Sequence, residues 1–177
     1  ALPAILERRD VIAQAPTGSG KTAAFGLGVL QAIDADAIRT QALVLCPTRE
    51  LADQVGKQLR NLATGIPILK LSVHRGGIRL GPQLATLAHA PHVVVGTPGR
   101  IQELAAKQAL QLKGVRTLVL DEADRMLDMG FEDQIRDIVK KLPKDRHTLL
   151  FSATFPVAIR ALGNAMLHDA IEVSLGD

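Results

Sequence analysis

The chain has 177 residues, of which 47% are hydrophobic and 22% charged, an ordinary globular balance that excludes disordered and fibrous chains. No apolar run approaches the ~18 residues of a membrane helix, and no basic segment with a cleavable signal opens the chain. Twenty-one Lys and Arg against 18 Asp and Glu leave a net charge of +3. That suits a polyanionic partner and equally a solvated surface of mixed charge.

Residues 2–6 read as a helix already under way, and with no initiating Met the chain is expected to be part of something longer. Residues 11–15 form a short apolar strand, 16–20 a turn-rich loop, and 21–33 a helix that is apolar nearly all round and therefore buried. A strand at 41–46 leads into a helix at 49–63, with Leu51, Val55, Leu59 and Leu62 at helical spacing. Strands follow at 66–73, 92–95, 115–120, 148–151 and 170–174. Helices are expected at 79–88, 97–107, along the face of Phe131, Ile135, Ile138, Val139 and Leu142, and at 157–167. Strict alternation with fully apolar strands predicts one α/β domain, its mostly parallel sheet covered by helices on both faces.

In such a sheet, ligands bind beyond the carboxyl ends of the strands. Polar or Gly/Pro-rich clusters follow strand after strand at that end: 15–22, 47–50, Gly76-Gly77, 97–100, 121–124 and 152–154. The first is a phosphate-binding loop. Its amides and the start of the next helix face an anion, and Gly18 and Gly20 let the backbone come close. Lys21 reaches the β- and γ-phosphates, while the Thr22 hydroxyl ligates Mg²⁺. Ala15 stands where the first glycine of the general pattern is usual. A helix N-cap turn is the plainer reading of the same loop. Residues 18–23 also satisfy the dinucleotide fingerprint G-x-G-x-x-A, with Asp36 near the ribose-binding distance, but that reading has no use for Lys21-Thr22 or for Asp121-Glu122. Asp121 at the end of an apolar strand can hold Mg²⁺, and Glu122 can polarise an attacking water. Acidic residues there can also simply cap the next helix.

Together these residues resemble the DEAD-box RNA helicases, and within them the first RecA-like domain. Asp121-Glu122-Ala123-Asp124 is the name motif, accompanied in the family's order by A-x-T-G-S-G-K-T, P-T-R-E-L-A, paired glycines, T-P-G-R and S-A-T. Residues 22–28 and 41–55 look most like the bacterial DbpA-like subfamily, which acts on ribosomal RNA during ribosome biogenesis. The resemblance implies that Ala15, Thr17, Gly18, Ser19, Gly20, Lys21 and Thr22 hold ATP, with Thr22 and Asp121 on Mg²⁺. It makes Asp121, Lys21 and Glu122 the catalytic groups, with Glu122 activating water. Ser152 and Thr154 would hydrogen-bond towards Asp124, linking ATP to closure between domains. Pro47, Thr48, Arg49, Gly76, Gly77, Thr97, Gly99 and Arg100 would line the backbone of one RNA strand, in keeping with only four Phe and no Trp or Tyr to stack on bases. Arg49 and Arg100 could equally pair with Glu50 and Glu103. The family's adenine-reading Gln falls before the segment matching Ala1, and a second RecA-like domain supplies arginines to the transferring phosphate. The 177 residues alone are therefore expected to bind nucleotide weakly and hydrolyse it near background. An RNA clamp that uses ATP only to stay bound needs the same motifs.

The five histidines (His74, His89, His92, His147 and His168) show no metal-ligand spacing beyond His89-x-x-His92 and read as structural or solvent-facing. Cys46 is the single cysteine, so no disulfide framework exists and a reducing, cytoplasmic setting is expected. It reads as a small buried apolar residue rather than a nucleophile.

Overall fold

The computed structural model describes residues 2–16, 20–63 and 90–174, and residues 71–74 by their backbone. Seven strands form one sheet: β1 (Val11–Gln14), β2 (Ala42–Leu45), β3 (Leu71–His74), β4 (Val93–Gly96), β5 (Thr117–Leu120), β6 (His147–Ser152) and β7 (Ile171–Ser174). Their order is β3-β4-β2-β5-β6-β1-β7, and every neighbouring pair is parallel. Seven helices are described, α1 (Leu2–Leu6), α2 (Lys21–Gln31), α3 (Arg49–Leu62), α4 (Pro98–Ala106), α5 (Ala123–Asp128), α6 (Glu132–Lys140) and α7 (Val157–Met166).

The period-2 geometry of the strands divides the core into two layers. Leu43, Leu45, Leu118, Leu120 and Leu150 pack with Ile101, Met126, Ile135 and Leu162 from α4 to α7. Val44, Cys46, Val95, Val119 and Phe151 face the other way, onto Phe25 and Val29 of α2 and Val55 and Leu59 of α3. Because β2, β4, β5 and β6 are buried along their whole length, they carry no polar alternation, and the polar residues of β5 and β6 stand only at strand ends. Gly28 lets α1 lie directly on α2, since a Cβ there would meet the Ile5 side chain. Phe25 and Phe151 stack at 5.4 Å in this layer, so these two of the four phenylalanines are spent on the core.

The order of elements matches the expectation from the sequence, with helix and strand ends moved by one or two residues. Two differences stand out. Residues 115–116 precede β5 rather than belonging to it, and α5 is a helix that the apolar periodicity did not announce. Six residues with only Ala123 and Met126 buried are too few to show a helical period. The helix expected at 79–88 and the first part of the strand expected at 66–73 lie outside the described residues.

Candidate phosphate and acidic-pair site

All the strands point one way, so their carboxyl ends form one edge. The segments carrying Lys21, Pro47, Thr97, Asp121 and Ser152 leave the sheet there. Gly20 is the N-cap of α2 at φ 78°, a left-handed conformation that costs a side-chain-bearing residue about 1–2 kcal/mol. No side chain caps this helix. Its first amides, with the positive end of the helix dipole, make a favourable place for an anion. Thr17, Gly18 and Ser19 lie outside the described residues; Ala15, which is buried, donates its amide to the Ser152 carbonyl at 2.9 Å.

Lys21 crosses from α2 to the end of β5. Its Nζ stands 3.0 Å from Asp121 Oδ1 and 3.6 Å from Glu122 Oε2. All three side chains are nearly buried, at 6%, 2% and 8% exposure. The 3.0 Å contact ties Asp121 Oδ1 to the Lys21 ammonium as a buried ion pair. Burial pushes the Asp121 carboxyl above its usual range and the Glu122 charge adds to this, while Lys21 opposes both. The Asp121 and Glu122 carboxylates and the half-buried Thr22 hydroxyl make an all-oxygen donor set. Such a set suits a hard cation such as Mg²⁺ that takes its remaining ligands from water and phosphate. It is not a self-sufficient cage, and among the described residues no group of three or more His, Cys, Asp or Glu could hold a metal by itself.

Glu122 adopts φ 54° and ψ 54° as the N-cap of α5, unusual for a residue with a side chain. A held outlier of this kind costs on the order of 1–2 kcal/mol and is most often found where geometry serves a site. Its carboxylate lies between Lys21 Nζ and Arg125 Nη1, the latter at 3.8 Å. Two residues further on, Asp124 Oδ2 accepts from the Thr154 hydroxyl at 2.9 Å and from its amide at 3.2 Å. Ser152 does not reach Asp124; its hydroxyl donates to the Thr154 carbonyl at 2.6 Å and so acts on Asp124 only through Thr154.

A cavity of about 540 Å³ opens onto Gly20, Lys21, Thr22, Asp121 and Glu122, walled on its other side by α3 through Gln54, Gln58 and Leu51. The reading from sequence missed Gln54 and Gln58, although two amides four residues apart on a helix beside a phosphate loop were a visible signal. Cys46 is fully buried, and desolvation together with the Asp121 and Glu122 charges raises its thiol well above the ordinary value, which makes it inert.

The remaining residues divide. Pro47 is buried; Thr48 caps α3, its hydroxyl accepting from the Leu51 amide at 3.2 Å. Thr97, Gly99 and Arg100 sit at the start of α4, half-buried at the same edge. Arg49 pairs with Glu50 at 3.3 Å and Arg100 with Glu103 at 3.6 Å, the local pairing that the helix-end positions made plausible. Gly76 and Gly77 lie outside the described residues. Asp36 lies between α2 and β2, at the opposite edge of the sheet, where it cannot serve the ribose of a dinucleotide held at residues 18–23.

Comparison with known proteins agrees with this geometry. The family model described as DEAD/DEAH box helicase matches residues 1–162. The chain is 55% identical over 175 residues to the ATP-dependent RNA helicase DbpA of Escherichia coli (strain K12), covering 99% of this chain and 38% of that protein. It is 48% identical over 167 residues to the ATP-dependent RNA helicase CshA of Listeria monocytogenes, covering 94% of this chain and 32% of that protein. The crystal structure of a DEAD box protein from the hyperthermophile Methanococcus jannaschii superposes with a TM-score of 0.93 at 39% identity, over 99% of this chain and 48% of that one. The chain thus spans less than half of each of these proteins. A RecA-like sheet with Lys21 locked onto Asp121-Glu122 and a match along most of its length place the chain in the DEAD/DEAH box helicase family.

Proposed function

We propose that this chain is the N-terminal RecA-like, ATP-binding half of an ATP-dependent RNA helicase core, and that Lys21, Asp121 and Glu122 form its hydrolytic centre. The observation that carries the reading is the buried Lys21–Asp121–Glu122 cluster facing a cavity beside an uncapped helix N-terminus. Triphosphate entering there meets the N-terminal amides of α2 and displaces Lys21 Nζ from Asp121 towards the β- and γ-phosphates. Thr22 and Asp121 would hold Mg²⁺, whose charge offsets that of the phosphate oxygens. The Asp121 carboxylate, strained towards protonation by burial, is fully ionised once a cation faces it. Glu122, fixed by its left-handed backbone, accepts a proton from the attacking water.

The same edge carries Pro47, Thr48, Arg49, Thr97, Gly99 and Arg100, and with Gly76 and Gly77 these are proposed to line the sugar-phosphate backbone of one RNA strand. Glu50 and Glu103 would then yield their arginines to phosphate, Arg49 from an exposed pair and Arg100 from a largely buried one. Thr154 on Asp124, steadied by Ser152, is proposed to sense ATP and pass its state to a second RecA-like domain. Ribosomal RNA as the substrate and the cytoplasm as the compartment belong to the same proposal, supported by the DbpA-like segments and the single buried cysteine.

The test is ATP-dependent displacement of a short RNA duplex by the complete protein carrying this domain, alongside its Glu122→Gln variant. Displacement that disappears in the variant while ATP binding persists is expected. Tight ATP-dependent RNA binding with no displacement would instead make the protein a clamp.

A further inference from the structure

The sheet edge opposite the phosphate site carries a second hollow, of about 400 Å³. Its lining comes from three loops that each lead into a strand: Arg8 before β1, Arg116 before β5, and Asp145 and Arg146 running into His147 of β6. Three guanidinium groups and an imidazole thus face one carboxylate, and that carboxylate is a poor counter-ion. Asp145 is fully exposed and approaches Arg116 only to 3.9 Å. Arg8 donates Nη2 to a neutral acceptor, the Arg116 backbone carbonyl, at 3.2 Å. Arg146 hydrogen-bonds neutral groups, the Met166 and Pro143 carbonyls and the Thr148 hydroxyl, at 2.8, 3.1 and 3.1 Å, with the Asp10 carboxylate near enough to act on its charge.

The C-terminus of α7 accounts for Arg146, whose Nη2 caps the Met166 carbonyl at the negative end of that helix. It does not account for Arg8 and Arg116, which lie on other loops and whose one anionic contact among the described residues is the long pair of Arg116 with the exposed Asp145. His147 is a second, independent sign. The residue is 3% exposed, its Nε2 meets the Arg9 carbonyl at 2.7 Å, and its Nδ1 is buried with no hydrogen-bond partner. Buried polar atoms without partners are uncommon in folded proteins, and His147 is one of the residues that line the cationic hollow.

We propose that this hollow is a second anion site that takes a phosphate group, held by the guanidinium groups of Arg8 and Arg116 with His147 as a third contact. Its volume lies within the range of small-ligand sites, and planar guanidinium forks suit phosphate oxygens. Without an anion the imidazole stays neutral. Burial lowers its pKa, Arg8 works in the same direction, and the Arg9 carbonyl and Asp10 oppose them. The other charged groups of the hollow are Arg116, Asp145 and Arg146. A phosphate seated among them tips the balance towards the imidazolium, which gives Nδ1 a proton to donate. The phosphate could be free in solution or part of a nucleic-acid backbone.

The experiment is a residue-resolved NMR titration of the chain, following the Arg side-chain Nε–H signals of Arg8 and Arg116 and the His147 ring. Inorganic phosphate and a short single-stranded oligoribonucleotide are the two probes. Saturable shifts at all three residues are expected, with the His147 titration midpoint moved upwards. The Arg8→Gln/Arg116→Gln double variant should weaken binding at least about tenfold, as expected for losing two charge-assisted contacts. The amides of Lys21 and Thr22 should still respond to phosphate in that variant, which shows that it is folded. Saturation by phosphate alone assigns the site to a free anion; saturation by the oligoribonucleotide at far lower concentration assigns it to a nucleic-acid backbone. No saturable shift with either probe, or shifts that survive the double variant, would overturn the proposal.

Discussion

At the scale of single residues, the account turns on three side chains and one backbone conformation. Lys21 is buried against two carboxylates, so Lys21→Ala removes the phosphate contact and leaves the two carboxylates with only Arg125, 3.8 Å from Glu122, as a cation. Loss of nucleotide binding together with a lowered melting temperature is expected, and calorimetry on the same sample measures both. Position 122 separates strain from chemistry. Glycine tolerates φ 54°, whereas a β-branched residue does not. Glu122→Val should therefore be less stable than Glu122→Gly by on the order of 1–2 kcal/mol in urea unfolding, with hydrolysis by the complete protein lost in both. Equal stabilities would show that the left-handed backbone at 122 is not a real constraint. Lys21, Thr22, Asp121 and Glu122 were all legible in the sequence, because loop and acidic pair each follow an apolar strand. The left-handed backbone of Glu122 was not, since glutamate carries no conformational signal that glycine or asparagine would have given.

At the scale of elements, Asp10 holds together the edge of the sheet away from the site. Its Oδ1 accepts from the Thr148 amide at 2.8 Å and its Oδ2 from the His168 amide at 2.7 Å, tying the start of β6 and the turn before β7 to β1. Asp10→Asn turns one acceptor into a donor and orphans a buried amide. The expected loss is on the order of 1–3 kcal/mol in chemical denaturation, with nucleotide binding at the opposite edge unchanged. Equal binding and stability in variant and parent would show that the clamp contributes nothing. Thr48 caps α3, so Thr48→Ala should cost about 1 kcal/mol and Thr48→Ser much less. Any RNA defect of Thr48→Ala that Thr48→Ser repairs would then trace to the hydroxyl. Strand positions were legible because four strands buried on both faces carry no polar alternation. The α5 helix and the Asp10 clamp were not. The first is too short for periodicity, and the second joins residues about 140–160 apart in the chain, as no local pattern can show.

At the scale of the whole molecule, the two edges of the sheet carry different chemistry, and pH should distinguish them. Burial lowers the His147 pKa below its ordinary 6.5. The unfolded chain therefore takes up a proton near pH 6.5 that the folded chain refuses until lower pH. Stability is fully present above about 6.5 and declines as pH falls towards the depressed value. The melting temperature should drop between pH 7.5 and 5.5, and His147→Gln should flatten that slope; an unchanged slope would remove His147 from the account. Added phosphate should also flatten the slope if the second anion site exists. The central claim concerns the opposite edge and is tested most directly by binding of a fluorescent ATP analogue to the chain with and without Mg²⁺, in parallel with Lys21→Ala and Asp121→Asn. The account predicts binding strengthened by Mg²⁺, no binding in Lys21→Ala, and binding in Asp121→Asn that no longer responds to Mg²⁺. Binding that ignores both substitutions would contradict it.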